Sequence, residues 1–311
     1  MSTQAQGRIL VIRGGAIGDF ILTLPVLSAL RAQFPAARLE LMGYPHVAQL
    51  ALATGLVTEI RSIEARAMAS FFTERGELNT ELSSYFARFA VIVSFLYDPD
   101  DVFKDNIAKC GGAQFVVAQH RPDEAKKLHA TEVFLQGLER LAIFDADPVP
   151  RLDLPVTPET MLPAGRWLAV HPGSGGEHKN WPEGHWTDLL TQLVATTHFN
   201  VLLVGGEAEG GRLKRLEVAL PHSRAKVLQS APLTDVARRI KQCVAFVGHD
   251  SGITHLAAAV GLPGLVLWGD TVEEVWRPRS ERMIIVRKPK GLVVLSVSDV
   301  LCQLTAMLKG L

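Results

Sequence analysis

Four short runs in this chain bring glycine, hydroxyl, carboxylate and ammonium groups together in patterns suited to holding a diphosphate and activating a hydroxyl. The first is Gly14-Gly15-Ala16-Ile17-Gly18-Asp19, directly after a β-rich stretch at 8–12. Glycines at the carboxyl end of a strand let the backbone turn tightly and approach a ligand, so Gly14, Gly15 and Gly18 read as an acceptor-side loop. Asp19 supplies a carboxylate that can act as general base toward a hydroxyl. Its competing role is to cap a turn. Thr23 is the expected N-cap of the following helix, which puts Pro25 in the first turn and leaves Asp19 in the preceding loop. Gly14-x-x-x-Gly18 departs from the dinucleotide fingerprint, and no acidic residue ends the next strand, so NAD binding is disfavoured.

The second run is His171-Pro172-Gly173-Ser174-Gly175-Gly176-Glu177-His178-Lys179-Asn180-Trp181-Pro182. Ser174, Gly175 and exposed amides suit a phosphate cradle, with Lys179 as the compensating point charge. A glycine-rich turn with a solvated lysine is the alternative. In the third run, Gly205-Gly206-Glu207, the carboxylate of Glu207 is placed to accept from ribose hydroxyls, or simply to favour a helix N-terminus. The fourth is Gly248-His249-Asp250-Ser251-Gly252-Ile253-Thr254-His255. Gly252 permits a sharp entry into a helix whose first N–H groups would face a pyrophosphate. Ser251 would share the phosphate charge, Asp250 can hold sugar hydroxyls, and His255 can reach a phosphate or donate as a neutral ring. Leu228, at a strand end, is a candidate for lining a base pocket.

These runs need strand ends to carry them. Apolar β-rich segments at 8–12, 38–41, 58–60, 90–94 and 114–117 alternate with helical periods, and a second series follows at 167–170, 200–204, 226–228, 245–247, 265–267 and 284–286. That alternation is the mark of parallel sheets covered on both faces. The Pro-rich stretch 144–163 between the two series reads as an extended linker. The expected organisation is α/β, with two Rossmann-like domains at 1–155 and 156–311 facing across a cleft, the last helix free to pack back on the first domain. Residues 65–88 read as a helical insertion, and 296–308 as a helix capped by Ser and Asp.

Composition excludes several classes. Hydrophobic residues make up 48%, and 32 Lys plus Arg balance 32 Asp plus Glu, so neither disorder nor a global field for nucleic acid is expected. Cys110, Cys243 and Cys302 form no disulfide or zinc pattern. No signal peptide or transmembrane segment is expected, and the location reads as cytoplasmic. No metal motif adjoins a strand end, and Asp98-Pro99-Asp100-Asp101 reads as a solvated turn, so metal independence and no cofactor are expected.

Taken together and in order, the four runs resemble the lipopolysaccharide heptosyltransferases, glycosyltransferase family 9. The opening through Gly18-Asp19 and Thr23-Leu24-Pro25 is similar to the family's start, whose Asp is the catalytic base. Lys179-Asn180-Trp181-Pro182 resembles its Lys-x-Trp-Pro, whose Lys binds donor phosphate; Gly206-Glu207 resembles its ribose-holding pair. Asp250-Ser251-Gly252 with His255-Leu256-Ala257-Ala258 resembles the donor signature D-[ST]-G-x-x-H-[LI]-A-A. The resemblance implies a GT-B fold and inverting, metal-free transfer from ADP-heptose to a lipid-linked inner-core acceptor at the cytoplasmic face of the inner membrane. Catalytic roles then fall to Asp19 and Lys179. Ser94-Phe95-Leu96-Tyr97-Asp98-Pro99 stands where members often carry an Asp-Leu-Gln-like turn, so the acceptor and the sugar stay open. Alternatives are another nucleotide-sugar transferase, a nucleotide-sugar epimerase on the same architecture, or a noncatalytic nucleotide-sugar binder.

Overall fold

The structure is a computed structural model that describes residues 7–310. The chain divides into two compact units, Met1–Val149 and Pro150–Leu311. The first holds β1 (Arg8–Arg13), α1 (Ile17–Gln33), β2 (Arg38–Gly43), α2 (Pro45–Ala53), β3 (Glu59–Ser62), α3 (Thr80–Phe86), β4 (Val91–Ser94), α4 (Val102–Ala108), β5 (Gln114–Val117) and α5 (Ala130–Gln136). Its strands lie parallel in the order β3-β2-β1-β4-β5. The second unit holds β6 (Trp167–His171), α6 (Glu183–Thr196), β7 (Asn200–Gly205), α7 (Gly210–Val218), β8 (Ala225–Gln229), α8 (Leu233–Ile240), β9 (Ala245–His249), α9 (Gly252–Ala259), β10 (Gly264–Leu267), α10 (Glu273–Trp276), β11 (Met283–Val286) and α11 (Val297–Lys309). Its parallel order is β11-β10-β9-β6-β7-β8. Each β-rich stretch read from the sequence is a strand, its ends shifted by a residue or two.

Both sheets are α/β Rossmann-like, and in each the order reverses beside the first strand. The reversal falls between β1 and β4 in one sheet and between β6 and β9 in the other. At such a point successive crossovers leave to opposite sides, opening a crevice at the strands' carboxyl ends. All the runs singled out above except Leu228 leave from β1, β6, β7 or β9.

Helix α1 differs from expectation. It starts at Ile17, so Thr23 is not its N-cap, Pro25 lies in its interior, and Asp19 sits in its first turn. Eight consecutive residues, Phe20 to Leu27, are buried. An interior proline costs about 3 kcal/mol, whereas each fully buried Leu, Ile or Phe side chain contributes about 1.5–3 kcal/mol. Packing outweighs the local rule, and the Thr23 hydroxyl donates instead to the Asp19 carbonyl at 2.8 Å.

The segment 65–88 is a 3-10 helix at Arg66–Phe72 followed by α3, and its Met68, Phe71, Leu82, Tyr85 and Phe86 join β1, β2 and β4 residues in one apolar cluster. The Pro-rich stretch is extended, with one 3-10 turn at Pro158–Thr160. Its second half is no free linker. Arg238, Arg239, Lys241 and Gln242, in α8 and just beyond it, donate to the carbonyls of Pro155, Glu159, Leu154 and Thr160. An extended proline-rich strap leaves carbonyls unpaired, and the side chains around α8 satisfy them. Helix α11 begins with the expected Ser296–Asp299 capping box and packs on α6 within its own unit. No helix among the described residues is long and apolar enough to cross a membrane.

Candidate functional site

In the first unit Asp19 is the N3 residue of α1, and its Oδ2 accepts the Ala16 N–H at 3.1 Å. The capping role therefore holds. A third of the side chain is nevertheless exposed, so the carboxylate keeps an open side. Gly15 has φ +100°, a conformation that favours glycine, and a Cβ there would lie 3.0 Å from Asp19 Oδ2. Gly14 and Gly18 flank it in the same turn, with Gly18 inside α1. Arg13, which the sequence reading passed over, closes the other side. Its guanidinium stands 3.8 Å from Asp19 Oδ1, donates to the His120 carbonyl at 2.9 Å and lies over the rings of Phe95 and Phe134. Burial pushes Arg13 down to about 10, opposed by the Asp19 charge, so it remains a cation at neutral pH. Asp98, read as part of a solvated turn, instead caps α4 by accepting from the amides of Phe103 and Lys104.

In the second unit the loops after β6 and β9 meet. Lys179 Nζ donates to Asp250 Oδ2 at 3.3 Å, and the Thr271 hydroxyl donates to the same oxygen at 2.6 Å. Ser251 is the N-cap of α9 and takes the Thr254 amide, while the Ser251 carbonyl takes those of Thr254 and His255. The amides of Gly252 and Ile253 are left for a ligand, beside the lysine. Ser174 donates to the Gly176 carbonyl at 2.8 Å and shapes the turn in which Gly175 is exposed. His255 is buried on α9.

Glu207 is exposed beyond β7. Two residues later, Glu209 folds back on the loop: its Oε2 accepts the Gly206 amide at 2.8 Å, and a Cβ at Gly173 would lie 2.3 Å from its Cγ. Arg212 donates to the Pro172 carbonyl and to Glu177. Leu228 is half-buried in β8 and lines a cavity of about 310 Å³ with Leu202, His222, Lys226 and Arg239. Lys179, Asp250, Ser251 and Gly252 are thus gathered in one place, while Leu228 lies on the third strand of the sheet. Thr271 and Arg212 had no signal in the sequence, since each acts through a contact distant along the chain, and Glu209 was overshadowed by Glu207 two residues before it.

Two buried histidines tie these loops together. His249 Nε2 accepts the Trp181 N–H at 2.8 Å, so its Nδ1–H donates to the Gly173 carbonyl at 3.1 Å. His171 Nδ1 pairs with the Val204 carbonyl at 2.8 Å. Burial pushes His249 down to about 3 and His171 in the same direction, so both are neutral in the folded chain. The unfolded chain takes up these protons at ordinary histidine values near 6.5. The contribution of His249 is therefore complete above about pH 6.5 and declines as pH falls toward 3, by up to about 1.4 kcal/mol per unit. His249→Phe orphans the Trp181 amide and the Gly173 carbonyl and is expected to lose about 2–5 kcal/mol at pH 7. Its deficit should shrink on acidification, as measured by denaturant unfolding at a series of pH values. An unchanged deficit would mean that His249 binds its proton as readily in the folded chain as in the unfolded one.

Residues 145–293 match the family described as Glycosyltransferase family 9 (heptosyltransferase). The lipooligosaccharide heptosyltransferase 2 of Haemophilus influenzae is 29% identical over 123 residues, which cover 38% of this chain and 35% of that protein. The match thus spans about a third of the length of that curated relative. Among solved structures, the ADP-heptose lps heptosyltransferase II of E. coli superposes with a TM-score of 0.78 at 19% identity, covering 97% of this chain and 99% of that one. The E. coli heptosyltransferase WaaC with ADP-2-deoxy-2-fluoro heptose gives 0.73 at 19% identity, covering 96% and 99%. At these identities the likeness establishes the fold, the two-sheet α/β arrangement of the GT-B heptosyltransferases.

Proposed function

We propose, from the match of residues 145–293 to the glycosyltransferase family 9 (heptosyltransferase) model, that the chain is an inverting, metal-independent glycosyltransferase that moves heptose from ADP-heptose to a lipopolysaccharide inner-core acceptor. One observation carries the reading. At the reversal of the second sheet, Lys179 and Asp250 stand 3.3 Å apart beside the unengaged amides that open α9. A cation, a carboxylate and free backbone donors together suit a sugar diphosphate, the charges going to phosphate and the carboxylate to sugar hydroxyls. The relative solved with an ADP-heptose analogue supports the choice of nucleotide and sugar.

In this mechanism the acceptor oxygen forms a bond to the anomeric carbon from the face opposite the diphosphate, and the bond from that carbon to the phosphate oxygen breaks. Asp19 receives the acceptor's proton. Lys179, Ser174 and the α9 amides stabilise the departing ADP, and Glu207 holds its ribose. Lys179 exchanges its contact with Asp250 for the phosphate, which frees Asp250 for the sugar. The acceptor is lipid-linked, reached by the protein from the cytoplasmic face of the inner membrane. Gly14, Gly15 and Gly18 form the turn against which that acceptor rests.

The test is a thermal-shift series with ADP-, GDP- and UDP-sugars, followed by turnover in EDTA. A ligand at one hundred times its Kd stabilises the chain by about 2.7 kcal/mol, so ADP-heptose should raise the melting temperature selectively. Isomerised donor without acceptor would instead identify an epimerase. Indifference to every ADP-sugar would remove the donor assignment, and loss of turnover in EDTA would remove metal independence.

A further inference from the structure

Arg13 ends β1 with a side chain that is 3% exposed. Its guanidinium lies 4.6 Å from the Phe134 ring centroid and 5.3 Å from that of Phe95, and Nε is buried without a hydrogen-bond partner. A buried cation is hard to justify as packing, since an apolar side chain of similar volume in such a pocket is often neutral or stabilising. Among the described residues Asp19 is the one carboxylate within ion-pairing distance, at 3.8 Å. The same guanidinium also reaches the Asp19 carbonyl at 3.4 Å.

We infer that Arg13 is a positioning residue for Asp19, holding its carboxylate in register for the acceptor hydroxyl. The inference rests on the proposed role of Asp19 as base. The two oxygens have different tethers: Oδ2 is fixed by the Ala16 amide and Oδ1 faces the guanidinium. Arg13 is itself immobilised by the His120 carbonyl and the two rings, so the tether is rigid and undergoes no reorganisation during the reaction. When the acceptor covers the open side of Asp19 and displaces water, this fixed countercharge stays in place. Once Asp19 has taken the proton, the adjacent cation favours its release and resets the carboxylate for the next turnover.

The experiment is a double-mutant cycle on the full chain, reading kcat at saturating donor, acceptor KM, ADP affinity and melting temperature. Arg13→Met should fold and bind ADP as the parent does, with kcat lowered about 100-fold, the scale of a small misplacement of a catalytic group. Acceptor KM should move by no more than a few-fold. Arg13→Lys should recover at least a tenth of the parent rate. In an Asp19→Asn background, Arg13→Met should alter the residual rate less than about twofold, because residues acting as a unit are non-additive. An equal loss in both backgrounds, or parent kcat in Arg13→Met, overturns the inference. Should Arg13→Met fail to fold, Arg13→Lys decides: it must slow the chain that keeps Asp19 and leave the Asp19→Asn chain unaffected. Parent activity in Asp19→Asn alone would instead overturn the base assignment, a separate outcome.

Discussion

An Asp19→Asn chain is expected to fold, to bind ADP as tightly as the parent, and to lose about 10³-fold in kcat. Asparagine is nearly isosteric, and its carbonyl oxygen can still accept the Ala16 amide that Oδ2 now holds at 3.1 Å. The start of α1 is therefore kept while the proton acceptor is removed. The nucleotide contacts proposed here all come from the second unit, which is why affinity for ADP should not respond. Turnover and nucleotide titration on the same preparation separate the two. Undiminished kcat in the Asp19→Asn chain would reduce Asp19 to a helix cap. Asp19→Ala would be the poorer test, since it removes the cap as well.

Lys179→Met should lower kcat by about 10²–10³, the usual consequence of removing one donor from a developing anion in a preorganised site. It should also weaken ADP binding, because part of the phosphate charge is present before reaction. Lys179 is a third exposed and bonded to Asp250, whose side chain is largely buried. Without the lysine, Asp250 retains the Thr271 hydroxyl at 2.6 Å, so the loop should hold its shape. Lys179→Arg is not a conservative control, since a planar fork replaces a compact point charge. Calorimetric titration with ADP, set beside kcat, tests the assignment. Unchanged affinity and turnover would show that Lys179 does nothing but pair with Asp250.

The central strands were legible because parallel strands buried on both faces are written as short apolar runs, as in β1, β6, β9 and β10. Resemblance supplied the pairing of the four loops into one function, and in the second unit Lys179 and Asp250 lie 3.3 Å apart. What stayed hidden depended on tertiary balance. Pro25 argued for a late helix start, but the burial of Phe20 to Leu27 overrode the proline. Glu209 lies over Gly173 although Glu207 had the more suggestive position, because Glu209, at the N-cap of α7, folds its carboxylate back onto the Gly206 amide. Arg13, just past the β-rich stretch at 8–12, carried no sequence signal. Only the rings of Phe95 and Phe134 around it reveal a buried cation, and neither is near it in sequence.

The order of the second sheet has a bearing on how the chain is made. β6 has β9 as its inner neighbour, with Leu168 opposite Ala245, yet β7 and β8 emerge from the ribosome in between. A nascent chain that has reached β8 therefore presents one long side of β6 unpaired, with apolar side chains above and below it. Such an edge is closed only by a contact far along the sequence, which slows folding and lengthens the exposure of sticky intermediates. Synthesis should accordingly be most sensitive to chaperone depletion, or to stalling, while the residues between β8 and β9 are being added.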